Sequence, residues 1–341
     1  MTLLLALLLA QGDPAQPLIE KLSSDRIEVR EEACRKLEEL GTQAVPALLR
    51  AAALPDEEVA ARARELLQRI PLREAATPNL IRAVPGVIDR LVKGEPAEIF
   101  LEIAADLRLR GEQRQYPALQ PLDLERLAPL ALRGAGTPGR RARVCEEIVR
   151  LGIRTAFREA VDLLATGDET SRAAAGRLLQ RLEAKEAVAE ISALSGNESP
   201  DVRLAVASIL GAAKAREALP TLRRLLADSQ WGVRAAAAGA LRDIGAREAA
   251  PELRPLLQDE SRLVRSVAAH AIGRLGDRGA TADLVRLLGD PSSDVRWWTV
   301  RALAELDARD AAKAVAALLE DPAPEVRRVA AETVAALRPP K

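Results

Sequence analysis

Residues 230–260 read QWGVRAAAAGALRDIGAREAAPELRPLLQDE, and this stretch decides the fold. Val233, Ala237, Leu241 and Ile244 recur at i, i+4, i+8 and i+11, which is one face of an α-helix. Gly245 supplies a helix stop, and a few turn residues follow. Pro251 stands where a second helix begins, a position that loses nothing by lacking an N–H. Leu253, Leu256 and Leu257 make a second apolar stripe. A helical hairpin with one apolar face per helix cannot bury both faces alone, but stacked copies can.

The copies are present. Val-Arg pairs stand at Val202-Arg203, Val233-Arg234, Val264-Arg265, Val295-Arg296 and Val326-Arg327, each 31 residues after the last. Stepping back reaches Ser171-Arg172 and Arg140-Arg141, so six 31-residue units run from Thr137 to Pro322 and a half unit follows. Val29-Arg30 and Val45-Pro46 mark an earlier unit, and Asp56 opens another through Val59, Leu66 and Ile70, with a second helix near Val84-Pro85. The predicted organisation is a leader at 1–12, repeats at 13–70, degenerate or extended repeats at 71–136, and the regular array at 137–341. The degenerate part carries a Gln- and Pro-rich insertion around Gln113 to Pro121. The fold class is an all-α, right-handed α-solenoid of about nine hairpins, its last helix stopped at Arg338-Pro339-Pro340.

Composition narrows the function classes. The chain of 341 residues balances 50 basic against 50 acidic side chains and has one His, two Cys, three Trp, one Tyr and two Phe. A zero net charge removes the global basic field of phosphate-backbone binders. A single His removes metal and acid–base chemistry built on several imidazoles. No phosphate-cradling glycine loop and no nucleophile–base pair is found, so no catalytic residue, metal ligand or cofactor is assigned. The apolar run Leu3 to Ala10, with Ala10 and Gly12 before Asp13, reads as a cleavable export signal; a capping helix is the alternative, and the chain is then cytoplasmic. The run is too short to span a bilayer.

The unit SPDVRLAVASILGAAKAREALPTLRRLLADS, 199–229, closely resembles the short HEAT repeats named after phycobilisome lyase subunits, within the armadillo-like helical superfamily. The resemblance implies a solenoid whose second helices line a concave binding face. It also implies a non-enzymatic scaffold for an unidentified protein or peptide, here expected to be a monomer. A lyase or chaperone-like subunit for a cofactor-bearing protein is the runner-up, and nucleic-acid binding is third. The several His-Glu pairs of dinuclear-iron HEAT hydroxylases and the Trp-Asp set of HEAT-like glycosylases have no counterpart in this sequence.

The candidate binding residues follow from register. Outward second-helix positions hold Arg223, Arg224, Arg254 and Arg286, interrupted by Glu252 and Asp283. Trp231 falls on an inter-repeat turn and Trp297 on an outer helix surface, while Trp298 is expected to pack inward. His270 takes a solvent-facing slot. Cys34 and Cys145 are each the ninth residue of their units, a core slot held elsewhere by Ala or Val, and so are expected to be free and buried. The acids Asp228, Asp259, Asp290 and Asp321 precede Arg234, Arg265, Arg296 and Arg327 by six residues; the family resemblance implies that each caps the next helix and pairs with that Arg.

Overall fold

A computed structural model describes residues 14–109, 113–182 and 185–337. Leader residues 1–12 and the terminal Arg338-Pro339-Pro340 lie outside the described residues. The described residues form helices and turns without strands, and divide into two compact units at Ala156 and Phe157. That boundary falls inside the first of the six 31-residue repeats.

The first unit begins with α1 (Gln16–Glu20), α2 (Ile27–Leu40), α3 (Val45–Ala51) and α4 (Glu57–Ala75). Asp56 starts α4 by accepting from the N–H groups of Glu58 and Val59 at 3.0 and 3.1 Å. Leu37, Leu48, Ile70 and Leu22 fill the core of these helices. Helix α4 continues through Pro71 to Ala75, and α5 (Pro78–Ala83) and α6 (Val87–Val92) follow. The second helix expected to start near Val84-Pro85 starts at Val87, after Gly86 turns the chain at φ +72°, and the short α5 that precedes it was not foreseen. Then come α7 (Pro96–Asp106), α8 (Leu127–Gly134) and α9 (Pro138–Leu151), which pack on one another with Phe100 of α7 fully buried.

The insertion before α8 is tied down. Asp106, 5% exposed, accepts from the backbone N–H of Gln115 and of Tyr116 and pairs with Arg114. The Arg114 guanidinium reaches on to the carbonyls of Tyr116 and Leu119 at 3.1 and 2.7 Å.

The second unit alternates first and second helices of the repeat. The first helices are α11 (Glu169–Arg181), α13 (Pro200–Ala212), α15 (Trp231–Ile244), α16 (Arg262–Leu275), α18 (Ser293–Glu305) and α20 (Pro324–Leu337). The second helices are α10 (Phe157–Thr166), α12 (Val188–Ala193), α14 (Leu219–Leu225), α17 (Thr281–Leu287) and α19 (Ala312–Ala316). One second helix departs from expectation: Arg247–Gln258 is a 3₁₀ helix of 12 residues with Pro251 inside it. Pro255 has no N–H to return to the carbonyl of Pro251, so the α ladder cannot close there.

Small residues let first helices approach closely. A Cβ on Gly211 would lie 2.8 Å from Ala240 Cα, and one on Gly273 2.7 Å from Ala302 Cα. At the ends of α13, α15, α16 and α18, Lys214, Gly245, Gly276 and Asp307 all have positive φ, at 52°, 73°, 81° and 48°. The repeat imposes a left-handed turn at this register whatever residue occupies it. Replacing Lys214 by Gly is expected to stabilise the protein by about 0.5–1 kcal/mol, since relief of Cβ strain outweighs the added freedom of the unfolded chain. Thermal denaturation of the variant checks this; an unchanged or lower midpoint contradicts it.

The Asp–Arg ladder exists, with a different connectivity. Each guanidinium grips the Asp 25 residues ahead through two bonds: Arg203 to Asp228 (2.7 and 2.9 Å), Arg234 to Asp259 (2.6 and 2.9 Å), Arg265 to Asp290 (2.7 and 3.0 Å), and Arg296 to Asp321 (2.7 and 2.8 Å). The Arg six residues after each Asp reaches the backbone carbonyl of that Asp and not its carboxylate, as Arg234 does at Asp228 (2.8 Å), and it also takes the next carbonyl, Ser229 for Arg234 (3.1 Å). Nor does the Asp cap the next helix at its second or third residue. Its carboxylate accepts from the N–H two residues on, at Gln230, Ser261, Ser292 and Ala323, each at 2.9 Å. That turn aims the carboxylate at the Arg of its own repeat and leaves the carbonyl for the Arg of the following one. The Arg203 fork, working against partial burial, holds the Asp228 carboxyl below the usual carboxylate range.

Cys145 is buried and Cys34 half-buried against the core of its helices, and neither is in a disulfide. Burial pushes the Cys34 thiol up.

Candidate functional site

The residues singled out from the sequence fall in separate places. Arg223 lies 3.0 Å from Glu252, and Arg254 grips Asp277 through two bonds of 2.7 and 2.6 Å. Arg286 pairs with Asp283 while its own side chain stays 72% exposed, and Arg224 donates to the Ser195 hydroxyl. The second-helix layer thus carries Arg side chains that are already engaged, three of them by carboxylates. Trp231, the first residue of α15, is 49% exposed.

Trp297 sits elsewhere, in a constellation on the first helices. An open groove of about 670 Å³ runs over α13, α15, α16 and α18, and its lining includes Lys214, Arg242, His270, Arg274, Trp298 and Arg301 besides Trp297. Its acids are Asp243 and Glu305. Neither Trp231 nor any of the four second-helix Arg residues lines it.

Two expectations change here. Trp298 does not pack inward: it is half-buried and lies flat on His270, with ring centroids 3.9 Å apart and planes 17° apart. His270 is correspondingly not a free surface group, because Trp298 covers one of its faces. Trp297 stands edge-on to Trp298 at 4.7 Å and 89°, and the Arg301 guanidinium lies 5.6 Å over the Trp297 ring. Arg242 Nη1 is 3.1 Å from His270 Nδ1. A guanidinium only donates, so Nδ1 accepts and the imidazole proton is on Nε2.

Burial, with the nearby charges of Arg242, Arg274 and Arg301 opposed by Asp243, pushes the His270 pKa down to about 4. As this is the only His in the chain, its ring resonances are unambiguous in a titration followed by NMR. They are expected to move with a midpoint near 4, and a midpoint near 6.5 would contradict the stack. A depressed folded pKa has one sign: the neutral ring's contribution is complete above about pH 6.5 and is lost as pH falls through 4.

The sequence did hold a signal for this constellation, at a different step. Lys214, Arg242, His270 and Trp298 succeed one another at intervals of 28 residues, not 31. Adjacent first helices meet at this offset, as Arg242 with His270 and His270 with Trp298 show, and at 29, as Gly211 with Ala240 and Gly273 with Ala302 show. Comparing only equivalent positions hides it.

Among the described residues, no three His, Cys, Asp or Glu side chains form a group that could hold a metal ion, and no helix is long and apolar enough to cross a membrane.

A family profile described as HEAT repeats matches residues 158–242, 190–272, 228–298 and 251–338, together more than half of the chain. No curated protein sequence matches. Among solved structures, one described as Kap95p binding to RanGDP is 12% identical, with a TM-score of 0.51 over 95% of this chain and 54% of that one. It shows the fold alone. The complex of CpcE and CpcF of phycocyanin lyase from Nostoc sp. PCC7120 is 22% identical over 65% of this chain and 96% of that one, with a TM-score of 0.42. Computationally designed armadillo repeat proteins for modular peptide recognition are 22% identical over 53% and 100%, with a TM-score of 0.41.

Proposed function

Because the chain belongs to the HEAT-repeat family, we propose that it is a non-enzymatic scaffold holding a protein or peptide partner against its second-helix layer, the concave side in HEAT proteins. The observation that carries this reading is the pattern of charge on that layer. Arg223 with Glu252, Arg254 with Asp277, and Arg286 with Asp283 set both signs side by side in successive repeats. A polypeptide of mixed charge can exchange with such pairs over several repeats. A phosphate backbone would meet an acid beside each of these cations, which disfavours nucleic acid.

The test places a photo-crosslinking residue at Glu252 or Arg286 in the full chain and irradiates it in cells. A discrete protein adduct at both positions is expected, lost when Arg223, Arg224 and Arg254 are replaced by Ala. Adducts containing only nucleic acid or a chromophore would overturn the scaffold reading.

A further inference from the structure

The groove over the first helices is chemically unlike the rest of the second unit. Ladder arginines are bound on both sides, and three of the four second-helix arginines noted above have a carboxylate. In the groove, by contrast, Lys214, Arg274 and Arg301 are exposed and, among the described residues, have no carboxylate within ion-pair distance. The Arg242 guanidinium divides its bonds between Asp243 and His270. Four cations therefore face two acids, Asp243 and Glu305, over a floor made by Trp297 and Trp298.

Lys214 adds a second, independent oddity. It occupies a left-handed backbone position at φ 52° where the next two repeats have Gly245 and Gly276. A lysine there is conformationally unfavourable, and it places an exposed ammonium on the groove wall.

From these contacts we infer that the groove is a docking site for an extended acidic peptide segment of a partner protein. Its carboxylates pair with Lys214, Arg274 and Arg301, and an apolar side chain between them lies against Trp297. The dimensions suit this occupant. The groove crosses four first helices at about 8–10 Å per step, or roughly 25–30 Å in all, the reach of about eight extended residues. Charge complementarity points the same way, because Arg forks take carboxylates bidentately and the half-buried indoles supply a contact surface that needs little ordering. Single-stranded nucleic acid fits less well, because His270 already occupies the face of Trp298 on which a base would stack. The site is separate from the second-helix layer, so each can fail without the other.

The experiment uses the full chain and a fluorescein-labelled peptide of seven glutamates with one central leucine, read by fluorescence anisotropy. Binding is expected, weakening several-fold between about 50 and about 300 mM salt as exposed charges are screened. Arg274→Gln and Arg301→Gln should each weaken it about tenfold, the worth of one charge-assisted contact. Lys214→Gly should also weaken binding while raising the thermal midpoint, which separates loss of the site from loss of the fold. Lys36→Ala, which removes one exposed positive charge from α2, should leave binding as it is. The His270 ring resonances should shift when the peptide is added. The inference is overturned by absence of binding, by groove variants that bind like the parent chain, or by an oligothymidylate of equal charge binding more tightly than the peptide.

Discussion

Replacing Asp228 by Ala is expected to cost about 3 kcal/mol, the effect of removing one partner from a buried ion pair. The side chains of Arg203 and Asp228 are only 14% and 8% exposed. Without the carboxylate, Arg203 retains the carbonyls of Asn197 and Glu198 but loses both bonds of its fork, and the Gln230 N–H loses its acceptor. The second unit should melt roughly 6–12 °C lower, given how strongly a domain of this size responds to each kcal/mol. The double variant Asp228→Ala with Arg203→Ala should lose less than the sum of the two single variants, because no charge is then left unpaired. Strict additivity would show that the ladder is ornamental. The same pairs set an acid limit. The Asp228, Asp259 and Asp321 carboxyls all lie below their usual range, so their contribution is complete above about pH 4 and is lost as pH falls through the folded values.

In the first unit, Asp106→Ala should be similarly damaging, at about 3 kcal/mol, for a related reason. The side chain holds the insertion through two backbone N–H groups and Arg114. Removing it leaves a guanidinium whose own side chain is 16% exposed with backbone carbonyls but no counter-charge. Limited proteolysis should then cut first between Gln113 and Pro121. A spectroscopic reading is available because Tyr116 is the only tyrosine. Burial, together with its bond to Glu102, pushes the phenol up to about 12. Release of the insertion should bring its absorbance titration back towards 10. A phenol that still titrates near 12 in the variant would show that the insertion is held by something other than Asp106.

The limits of sequence reading are visible in particular residues. The apolar spacing of Val233, Ala237 and Leu241 was enough to define a first helix, since an amphipathic face is a local property of the chain. The core slot of Cys145 was legible from register alone. Register failed for Trp298, expected inside and found against His270. It also paired each ladder Asp with the wrong Arg, because proximity along the chain stood in for contact across the hairpin of one repeat. The acid–base pairing on the second-helix layer was half legible: Glu252 and Asp283 were noted as interruptions, whereas Asp277, the actual partner of Arg254, was missed.

By itself, the sequence determined the repeat: a 31-residue period, two apolar stripes per period, and Val-Arg pairs at every first helix of the regular array except the two earliest. Those features depend on helix periodicity and turn chemistry, which act within a few residues. Only the tertiary structure decided which repeats share a side-chain contact. First helices come together where Gly211 meets Ala240 and Gly273 meets Ala302, and this crossing sets their neighbours 28 or 29 residues apart. That offset, invisible in a strict 31-residue comparison, is what gathers Lys214, Arg242, His270 and Trp298 into one groove.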